Sequence, residues 1–465
     1  MPSSQNVNGD LIAAIATPTG PGAVCVVRLS GQGVTTALQA VFKSKTKIEA
    51  KPRTMVFGNL VDPISQKTID QVLAVYFPGP GAFTGEDSAE IHGHGGSTVP
   101  RLILEALLAS GARLARPGEF TLRAFLNSRL SLDQAEAVAE LVASQSEAEA
   151  AIAARHLEGA LAKKLEPTFA KLMEAAAFLT SELDFMDEDE WSEARSDHLL
   201  AILKDAQGDL ERLLELRMTG RVFRDGLRVV LAGPPNAGKS SLFNALLGRD
   251  RALVNPMPGT TRDYLEGYVS WSGLKVELVD TAGLREDGDE LESQGQALTQ
   301  RELEQAEVIV WLNDLSKPET RMPPPVFSNP NGPKLIEVWN KADIGLGPPP
   351  AENPGHPDHP EKPYYRTISA LTGQGLDGLK QDILGFFLTP TSLNPELVPN
   401  LRQQKALEEG LDYINATVKS LEDGQAPDIA SLEIKGALEA LGRITGRVLT
   451  EDLLEEVFSR FCLGK

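Results

Sequence analysis

The sequence predicts a multidomain protein in which an α/β domain is inserted into a helical domain, behind a smaller α+β domain. A chain of 465 residues exceeds what one hydrophobic core usually supports. Apolar positions recur at helical spacing in two separate stretches, "LSLDQAEAVAELVASQSEAEAA" and "LRQQKALEEGLDYINATVKSLEDG". Between them, short apolar runs alternate with helical segments, which is typical of a parallel sheet with crossover helices.

Four segments follow from this pattern. Residues 1–125 mix β-branched runs such as "AVCVVRLS" and "QVLAVYFP" with Gly and Pro, which predicts a small α+β domain. Residues 126–225 form the first half of the helical domain, and residues 389–465 form its second half. Residues 226–388 are the inserted α/β domain. We expect the two helical halves to pack together across the insertion.

Charge and composition narrow the class of protein. The net charge of −20 argues against a broad nucleic-acid surface, because such surfaces are built from Lys and Arg. We expect any nucleic acid to be bound through a local patch or a partner. No apolar run approaches the ~18 to 20 residues of a membrane span, so no membrane association is expected. The two cysteines, Cys25 and Cys462, form no disulfide framework, which favours a reducing cytoplasm.

A phosphate-binding loop is predicted at the start of the α/β segment. The run "GPPNAGKS", residues 233–240, has the G-x-x-x-x-G-K-S spacing, follows an apolar strand and precedes an amphipathic helix. Its glycines let backbone N–H groups surround phosphates, Lys239 reaches the outer phosphates and the Ser240 hydroxyl can bind Mg²⁺. The residues assigned to the nucleotide here are Asn236, Ala237, Gly238, Lys239, Ser240 and Ser241.

Further motifs follow in the order of a guanine-nucleotide switch. "PGTTRD" offers Thr261 as a Mg²⁺ ligand, and "DTAG" follows a strand. "NKAD" ends in Asp343, whose carboxylate can accept two hydrogen bonds from guanine that adenine cannot donate. "ISALTGQG" offers a backbone N–H to the guanine oxygen. These motifs predict a Ras-like P-loop GTPase domain that binds GTP, and the residues assigned are Asp280, Thr281, Ala282, Gly283, Asn340, Lys341, Asp343, Ser369 and Ala370.

One expected residue is missing. In many such switches the residue after Asp-x-x-Gly is a glutamine that orients the attacking water. In "LVDTAGLRE" that residue is Leu284, which has no hydrogen-bonding group. Either the chain hydrolyses GTP poorly, or it does so with other groups.

Over essentially its whole length the chain resembles the MnmE (TrmE) GTPases of bacterial and organellar tRNA modification. The resemblance is carried by "ATPTGPGAVCVVRLSG", "FTGEDSAEIHGHGG", "RPGEFTLRAFLNSRLSLDQAEAVAELV", "GPPNAGKSSLFNAL", "PGTTRD", "DTAGLRE" and "FCLGK". It implies a cytoplasmic homodimer that forms a heterotetramer or larger complex with the FAD-dependent protein MnmG. It also implies that the pair installs an aminomethyl or carboxymethylaminomethyl group on carbon five of the wobble uridine of certain tRNAs, which bind mainly through MnmG.

The resemblance also implies site residues. Hydrolysis would be stimulated by K⁺ when two G domains meet, with Lys239 at the phosphates and Glu292 replacing the missing glutamine. The implied K⁺ ligands, partly backbone groups, are Asn236, Asn255, Met257 and Thr260. The N-terminal domain would be the main dimerisation site and would bind formyl-tetrahydrofolate through Arg28, Glu90, Arg129 and Lys465. The family often has lysine at the position of Arg129.

Two interpretations of Cys462 remain open. It could be a catalytic nucleophile, yet no histidine lies nearby in sequence to activate it, and a cysteine beside an apolar ring is more often packed and inert. The preceding "LTEDLLEEVFSRF" is amphipathic, so it can dock and deliver Gly464 and Lys465 into a cavity.

The sequence also bears on two alternative functions. A regulatory GTPase in ribosome assembly, without modification chemistry, would commonly carry an RNA-binding module, but no G-x-x-G loop in a basic context follows residue 390. A folate enzyme with a vestigial GTPase is disfavoured by the complete guanine motifs.

Overall fold

A computed structural model of the chain describes residues 9–18, 20–185, 193–215, 222, 226–249, 265–281, 301–325, 332–344, 365–387, 397–423, 427–459, 461 and 464. The chain forms two compact units. The first consists of Met1–Val142, Ala154–Leu210 and Lys405–Lys465, and the second of Ala143–Ala153 and Glu211–Gln404. The N-terminal sheet and most of the helices therefore share one unit, and the domain limits near residues 125, 225 and 388 stay predictions.

A seven-stranded sheet forms the N-terminal part of the first unit, in the order β3-β4-β5-β6-β2-β1-β7. Neighbouring strands are antiparallel, except that β1 and β7 are parallel. The alternation of buried and exposed residues along the first five positions of β4 is typical of a strand with one buried face. The strands are β1 (Ile12–Ile15), β2 (Val24–Ser30), β3 (Phe42–Lys43), β4 (Val56–Val61), β5 (Thr68–Phe77), β6 (Ser88–His94) and β7 (Arg113–Leu114).

Two helices cover one face of this sheet. The helices α1 (Val34–Val41) and α2 (Val99–Ala109) bury their apolar sides in a core that includes Leu38 and Ile103. On the other face, Phe57 is 63% exposed and Leu73 is 40% exposed. One face of the sheet is therefore buried, whereas the other is exposed at β4 and β5 but covered at β1, where Ile12 and Ala14 pack with Phe120.

A cluster of charges joins the start of the chain to helix α3 (Glu119–Leu126). The Arg123 side chain is only 1% exposed and donates to Asp10, Glu86 and Glu119. Arg113 donates to Asp10 and Glu119 as well. Burial raises the pKa of Glu119, but hydrogen bonds from these arginines outweigh it and hold that pKa below its usual value. The cluster is a compensated, largely buried ion network.

Helices form the rest of the first unit. One side of α6 (Ala160–Phe185) is buried, as expected for an amphipathic helix; its buried leucines include Leu161, Leu165, Leu172 and Leu179. Helix α11 (Pro427–Thr445) packs along α6, and a Cβ at Gly436 would lie 2.7 Å from the Tyr413 ring of α10 (Leu401–Glu422). The helices, some of which continue into the second unit, are α4 (Leu132–Ala143), α5 (Glu147–Leu157), α6 (Ala160–Phe185), α7 (Glu193–Glu215), α10 (Leu401–Glu422), α11 (Pro427–Thr445) and α12 (Glu451–Phe458). Among the described residues, no helix combines the length and apolarity required to cross a membrane.

The second unit contains a six-stranded sheet in the order β13-β12-β11-β8-β10-β9, parallel except for the β9–β10 pair. Val229 and Leu231 of β8 belong to one apolar cluster, whereas Val230 and Ala232 belong to another, so both faces of the sheet are covered. The elements are β8 (Leu227–Ala232), α8 (Lys239–Arg249), β9 (Leu265–Trp271), β10 (Leu274–Asp280), β11 (Val308–Asp314), β12 (Lys334–Asn340), β13 (Tyr365–Thr367) and α9 (Leu376–Gly385). The predicted fold class is confirmed: an α/β domain interrupts a chain that otherwise forms an α+β sheet and helices.

Candidate functional site

The predicted phosphate-binding loop connects β8 to α8. Gly233 has φ 133° and Gly238 has φ 95°, conformations that favour glycine. A Cβ at Gly233 would lie 2.2 Å from the Leu312 carbonyl oxygen, and one at Gly238 would lie 2.3 Å from Asn340 Nδ2. Both glycines of the motif are therefore required by their backbone angles and by the close approach of neighbouring strands.

Lys239 lies at the start of α8 and is buried inside this loop. Its Nζ donates to the carbonyl oxygens of Gly233 and Pro234, each at 3.0 Å. Ser240 and Asn236 are exposed, and Asn236 has φ 62°, which is uncommon for a residue with a side chain. An ammonium group, exposed hydroxyls and a helix N-terminus thus converge where phosphates would bind.

Asn340 connects the loop to the segment expected at the guanine base. Its Nδ2 donates to the Ala237 carbonyl oxygen at 2.9 Å, and its Oδ1 accepts from the Ala370 backbone N–H at 3.0 Å. The side chain is 1% exposed. Asn340 therefore positions both segments and is held by them, rather than being open to ligand.

Asp343 and Lys341 follow on the same edge of the sheet. Asp343 is exposed, and one of its carboxylate oxygens accepts from Ser369 Oγ at 2.6 Å. Lys341 Nζ lies 2.6 Å from Asp314 Oδ2. Burial raises the pKa of Asp314, but the hydrogen bonds from Lys341 and Ser316 outweigh it, so that pKa lies below its usual value. The N-K-x-D motif did not predict a role for Asp314. Its position at the end of β11 is the signal that could have identified it.

Asp280 ends β10, which runs parallel to β8 and therefore ends at the same edge. Asp280 is fully buried, and Thr281 Oγ1 donates to the Leu231 carbonyl oxygen at 2.9 Å. Hydroxyl and carboxylate oxygens are ligands that Mg²⁺ prefers, so Ser240 and Asp280 suit that ion. The neighbouring residues thus fit Mg²⁺ beside the loop.

A cavity of about 410 Å³ lies beside Ala370. It is lined by Ser241, Asn244, Ala245, Ala370, Leu371 and Gly373. Leu371 is 84% exposed at its edge. The cavity lies between the first turns of α8 and the predicted base-binding segment, which is the position expected for a nucleoside.

Several predicted residues lie outside the described part of the chain. They are Asn255, Met257, Thr260, Thr261, Ala282, Gly283, Leu284, Glu292, Cys462 and Lys465. Their assignments to Mg²⁺, K⁺, hydrolysis and folate stay predictions.

In the first unit, Arg28 and Glu90 face each other across β2 and β6. Arg28 Nε and Nη2 both donate to Glu90 Oε1, at 3.0 and 2.9 Å, while His92 Nε2 lies 3.3 Å from Glu90 Oε2. The Arg28 guanidinium also lies 5.9 Å from the Phe83 ring and 5.8 Å from the Phe120 ring. His92 therefore holds Glu90, and the two aromatic rings hold Arg28. The spacing of residues in the sequence indicated none of these partners.

The end of the chain reaches this pair. Helix α12 is capped by Thr450, and its apolar side packs with Phe125 and Phe461. Arg28 Nη1 donates to the Gly464 carbonyl oxygen at 3.4 Å. A Cβ at Gly464, which has φ 89°, would lie 2.4 Å from the Ile15 carbonyl oxygen. The structure thus places Gly464 against β1 and β2, and β2 carries Arg28, one of the predicted folate residues.

Arg129 is placed differently. It is exposed, and its Cγ would lie 3.3 Å from a Cβ at Gly85. Within the described residues, no contact joins it to Arg28 or Glu90. The structure therefore brings Arg28, Glu90 and Gly464 together, and leaves Arg129 beside the loop that contains Gly85.

The parallel sheet, the phosphate-binding loop and the neighbouring Asn340, Asp343 and Ser369 are the arrangement of a P-loop GTPase. Family models match nearly all of the chain: residues 11–129 match the GTP-binding protein TrmE N-terminus, and residues 132–462 match the MnmE helical domain. The chain belongs to the MnmE family of tRNA modification GTPases.

Individual relatives agree with this assignment. The tRNA modification GTPase MnmE of Syntrophus aciditrophicus (strain SB) is 39% identical over 471 residues, covering 98% of this chain and 99% of the relative. The protein of the same name from Chloroflexus aurantiacus is 39% identical over 459 residues, covering 98% of this chain and 100% of the relative. Among solved structures, a variant of Aquifex aeolicus Era bound to GDP·AlF4⁻ is 29% identical, covers 40% of this chain and 66% of its own, and has a TM-score of 0.25, which supports no further conclusion.

Proposed function

We propose that this protein is a K⁺-stimulated GTPase that, with MnmG, installs the aminomethyl or carboxymethylaminomethyl group on carbon five of the wobble uridine of certain tRNAs. Family membership supports the general activity. The observation that carries the modification chemistry is the contact of Arg28 with Gly464, because it brings the chain end to the Arg28–Glu90 pair. A ribosome-assembly switch without modification chemistry would not need such a second site.

The nucleotide half of the proposal assigns roles to the loop residues. In this structure Lys239 Nζ donates hydrogen bonds to the Gly233 and Pro234 carbonyl oxygens. When GTP binds, Lys239 exchanges these hydrogen bonds for hydrogen bonds to the outer phosphates. Asp343 binds the guanine edge. When bound, Mg²⁺ at Ser240 and K⁺ at Asn236 would neutralise charge on the phosphates, a task that an arginine finger performs elsewhere with ~10³- to 10⁵-fold acceleration. Glu292 would orient the attacking water in place of the missing glutamine.

The folate half of the proposal rests on charge complementarity. A carboxylate such as Glu90 can accept hydrogen bonds from the amide and amino groups of a pterin, and Arg28 can bind a glutamyl tail. In this structure each compensates the charge of the other. On binding formyl-tetrahydrofolate, Arg28 would exchange Glu90 for a carboxylate of the glutamyl tail, and Glu90 would exchange Arg28 for N–H donors of the pterin, so both groups would keep hydrogen-bond partners.

The partners are also part of the proposal. We propose a homodimer formed mainly through the N-terminal domain, assembled with MnmG and acting on tRNA in the cytoplasm. The chain carries 65 acidic and 45 basic residues, which favours a division of labour in which MnmG supplies most of the tRNA surface.

Mass spectrometry of wobble uridines in tRNA from a strain lacking this protein tests the main proposal. We expect unmodified uridines, restored by the wild-type gene and by Glu105→Gln, an exposed glutamate on α2. Glu90→Gln should fail to restore them. Unaltered uridines in the deletion strain, particularly with accumulated ribosomal precursors, would instead favour the assembly switch.

GTP turnover tests the hydrolysis mechanism. The rate should be several-fold higher in K⁺ than in Na⁺ at matched ionic strength, because a shell sized for K⁺ fits the smaller ion poorly. Glu292→Ala should lower kcat while nucleotide affinity stays near normal, since the interaction is made mainly in the transition state. Equal rates in the two salts, or a large loss of affinity in the variant, would contradict these roles.

A further inference from the structure

A short basic segment lies between α1 and β4 of the first unit. Residues 43–54, "KSKTKIEAKPRT", contain five Lys or Arg and one Glu, a net charge of +4 in a chain of net charge −20. This segment is the kind of local patch that an otherwise acidic protein needs if it is to touch nucleic acid.

The segment borders a cavity of about 710 Å³ at the edge of the sheet, which we call the lysine pocket. Lys43 pairs with Asn59 across β3 and β4, and Phe57 lies two residues before Asn59, so these side chains share the open face of the sheet. Phe57 is 63% exposed and Met55 is 50% exposed. The pocket is lined by Lys43, Ser44, Lys45, Thr46, Lys51, Thr54, Met55, Val56, Phe57, Gly58 and Asn59.

The charges of the pocket are not neutralised by the fold. Within the described residues, Lys43, Lys45 and Lys51 are exposed and form no ion pair with a carboxylate. Lys43 Nζ donates to the Gln39 carbonyl oxygen at 2.8 Å. Glu49, the one acidic residue of the segment, accepts from Gln39 Nε2 at 2.8 Å.

The backbone of the pocket is held in place. Ser44 Oγ donates to the Thr46 carbonyl oxygen at 2.5 Å, and Ile48 is buried in the core beneath a short 3-10 helix, Ile48–Ala50. A Cβ at Gly58 would lie 2.5 Å from the Lys43 carbonyl oxygen, so β3 and β4 approach closely. The lysines are therefore presented by a fixed scaffold.

We propose that the lysine pocket binds an unpaired segment of the tRNA substrate, with phosphates at Lys43, Lys45 and Lys51 and a base stacked on Phe57. Exposed cations beside an exposed ring are the combination used for single-stranded nucleic acid, because every base has a face to stack. Ser44, Thr46 and Asn59 add groups that can bind phosphate or ribose. This inference rests on the proposed function in taking tRNA as the substrate.

Fluorescence anisotropy of a labelled tRNA transcript with the full-length protein, without MnmG, tests the pocket directly. The variant Lys43→Gln, Lys45→Gln, Lys51→Gln should bind about tenfold or more weakly at physiological salt, and its slope of log affinity against log salt should shrink by about 2 for three lost phosphate contacts. The control changes three exposed helical lysines, Lys163, Lys164 and Lys419, to glutamine. It has the same net charge and should bind as the wild type.

Phe57→Ala separates stacking from charge. It should weaken binding at least about fivefold while the salt slope stays unchanged, because stacking releases no counterions. Sedimentation of both variants supplies the competing outcome: a changed oligomeric state with unchanged RNA affinity would make this a protein contact and overturn the proposal.

The result also separates this inference from the proposed function. If the triple variant keeps the wild-type RNA affinity and salt slope while wobble-uridine modification still depends on the protein, the pocket proposal is overturned and the proposed function is not. Lost binding in the triple variant, with unaltered uridines in the deletion strain, supports the RNA site and contradicts the modification chemistry.

Discussion

Gly238→Ala adds one methyl group at the centre of the nucleotide site. The methyl carbon would lie 2.3 Å from Asn340 Nδ2, and the residue has φ 95°. A positive φ costs a non-glycine residue ~1–2 kcal/mol. Displacing Asn340 weakens its two hydrogen bonds, to Ala237 and Ala370, each worth ~0.5–1.5 kcal/mol. If both hydrogen bonds are lost, the total is about 2–5 kcal/mol, which corresponds to roughly 30- to 4,000-fold.

Nucleotide affinity is the proper measurement for this change. The empty loop can relax away from the clash, but bound phosphates require its original path, so the cost is measured as weaker GDP and GTP binding by calorimetry. Gly248→Ala is the matched control, since a Cβ there meets nothing within 4 Å and alanine favours a helix. Its affinity should stay within twofold of wild type.

A double-mutant cycle identifies the cause. If the methyl group acts through Asn340, then Gly238→Ala should cost clearly less in an Asn340→Ala background than in the wild type. Unchanged affinity in Gly238→Ala, or full additivity of the two changes, would refute the steric reasoning.

Three further results are expected. Asp343→Asn should weaken guanine-nucleotide binding and admit xanthine nucleotides, measured by competition, and an unchanged preference would remove its assigned role. Glu119→Gln should lower the free energy of unfolding by ~3–5 kcal/mol, because it leaves buried arginine charge uncompensated. The pKa of Glu119 lies below its usual 4.5, so the stability that the ionised carboxylate contributes is present above pH 4.5 and is lost as the pH falls. The difference in stability between the variant and the wild type should therefore shrink in acid. Gly464→Ala, whose methyl would meet the Ile15 carbonyl oxygen, should weaken formyl-tetrahydrofolate binding and leave GTP affinity unchanged; the reverse pattern would contradict the role of the chain end.

The sequence predicted the nucleotide half of the molecule closely, because its chemistry is local. Gly233 to Ser240 form one turn between a strand and a helix, and parallel strands end at the same sheet edge, so Asp280 and Asn340 had to lie near that turn. The side-chain partners of the motif residues could not be predicted from the sequence. The contacts of Lys341 with Asp314 and of Asn340 with Ala237 depend on strand order, which the spacing of residues does not specify.

The N-terminal site shows the opposite case. Residue type and spacing do not distinguish Arg28 and Glu90 from ordinary surface charges, and only the family resemblance indicated a site there. Their pairing follows from the register of β2 and β6, and the two rings beside Arg28 come from a turn, Phe83, and from helix α3, Phe120.

The sequence by itself determined the elements, their class and the guanine motifs, because periodicity and backbone chemistry are properties of neighbouring residues. Only the tertiary structure decided that Gly464 lies against Arg28, 436 positions away, and that three exposed lysines share a pocket with Phe57. Such contacts depend on how helices and sheets pack, and packing is set by the summed burial of many side chains rather than by any one motif.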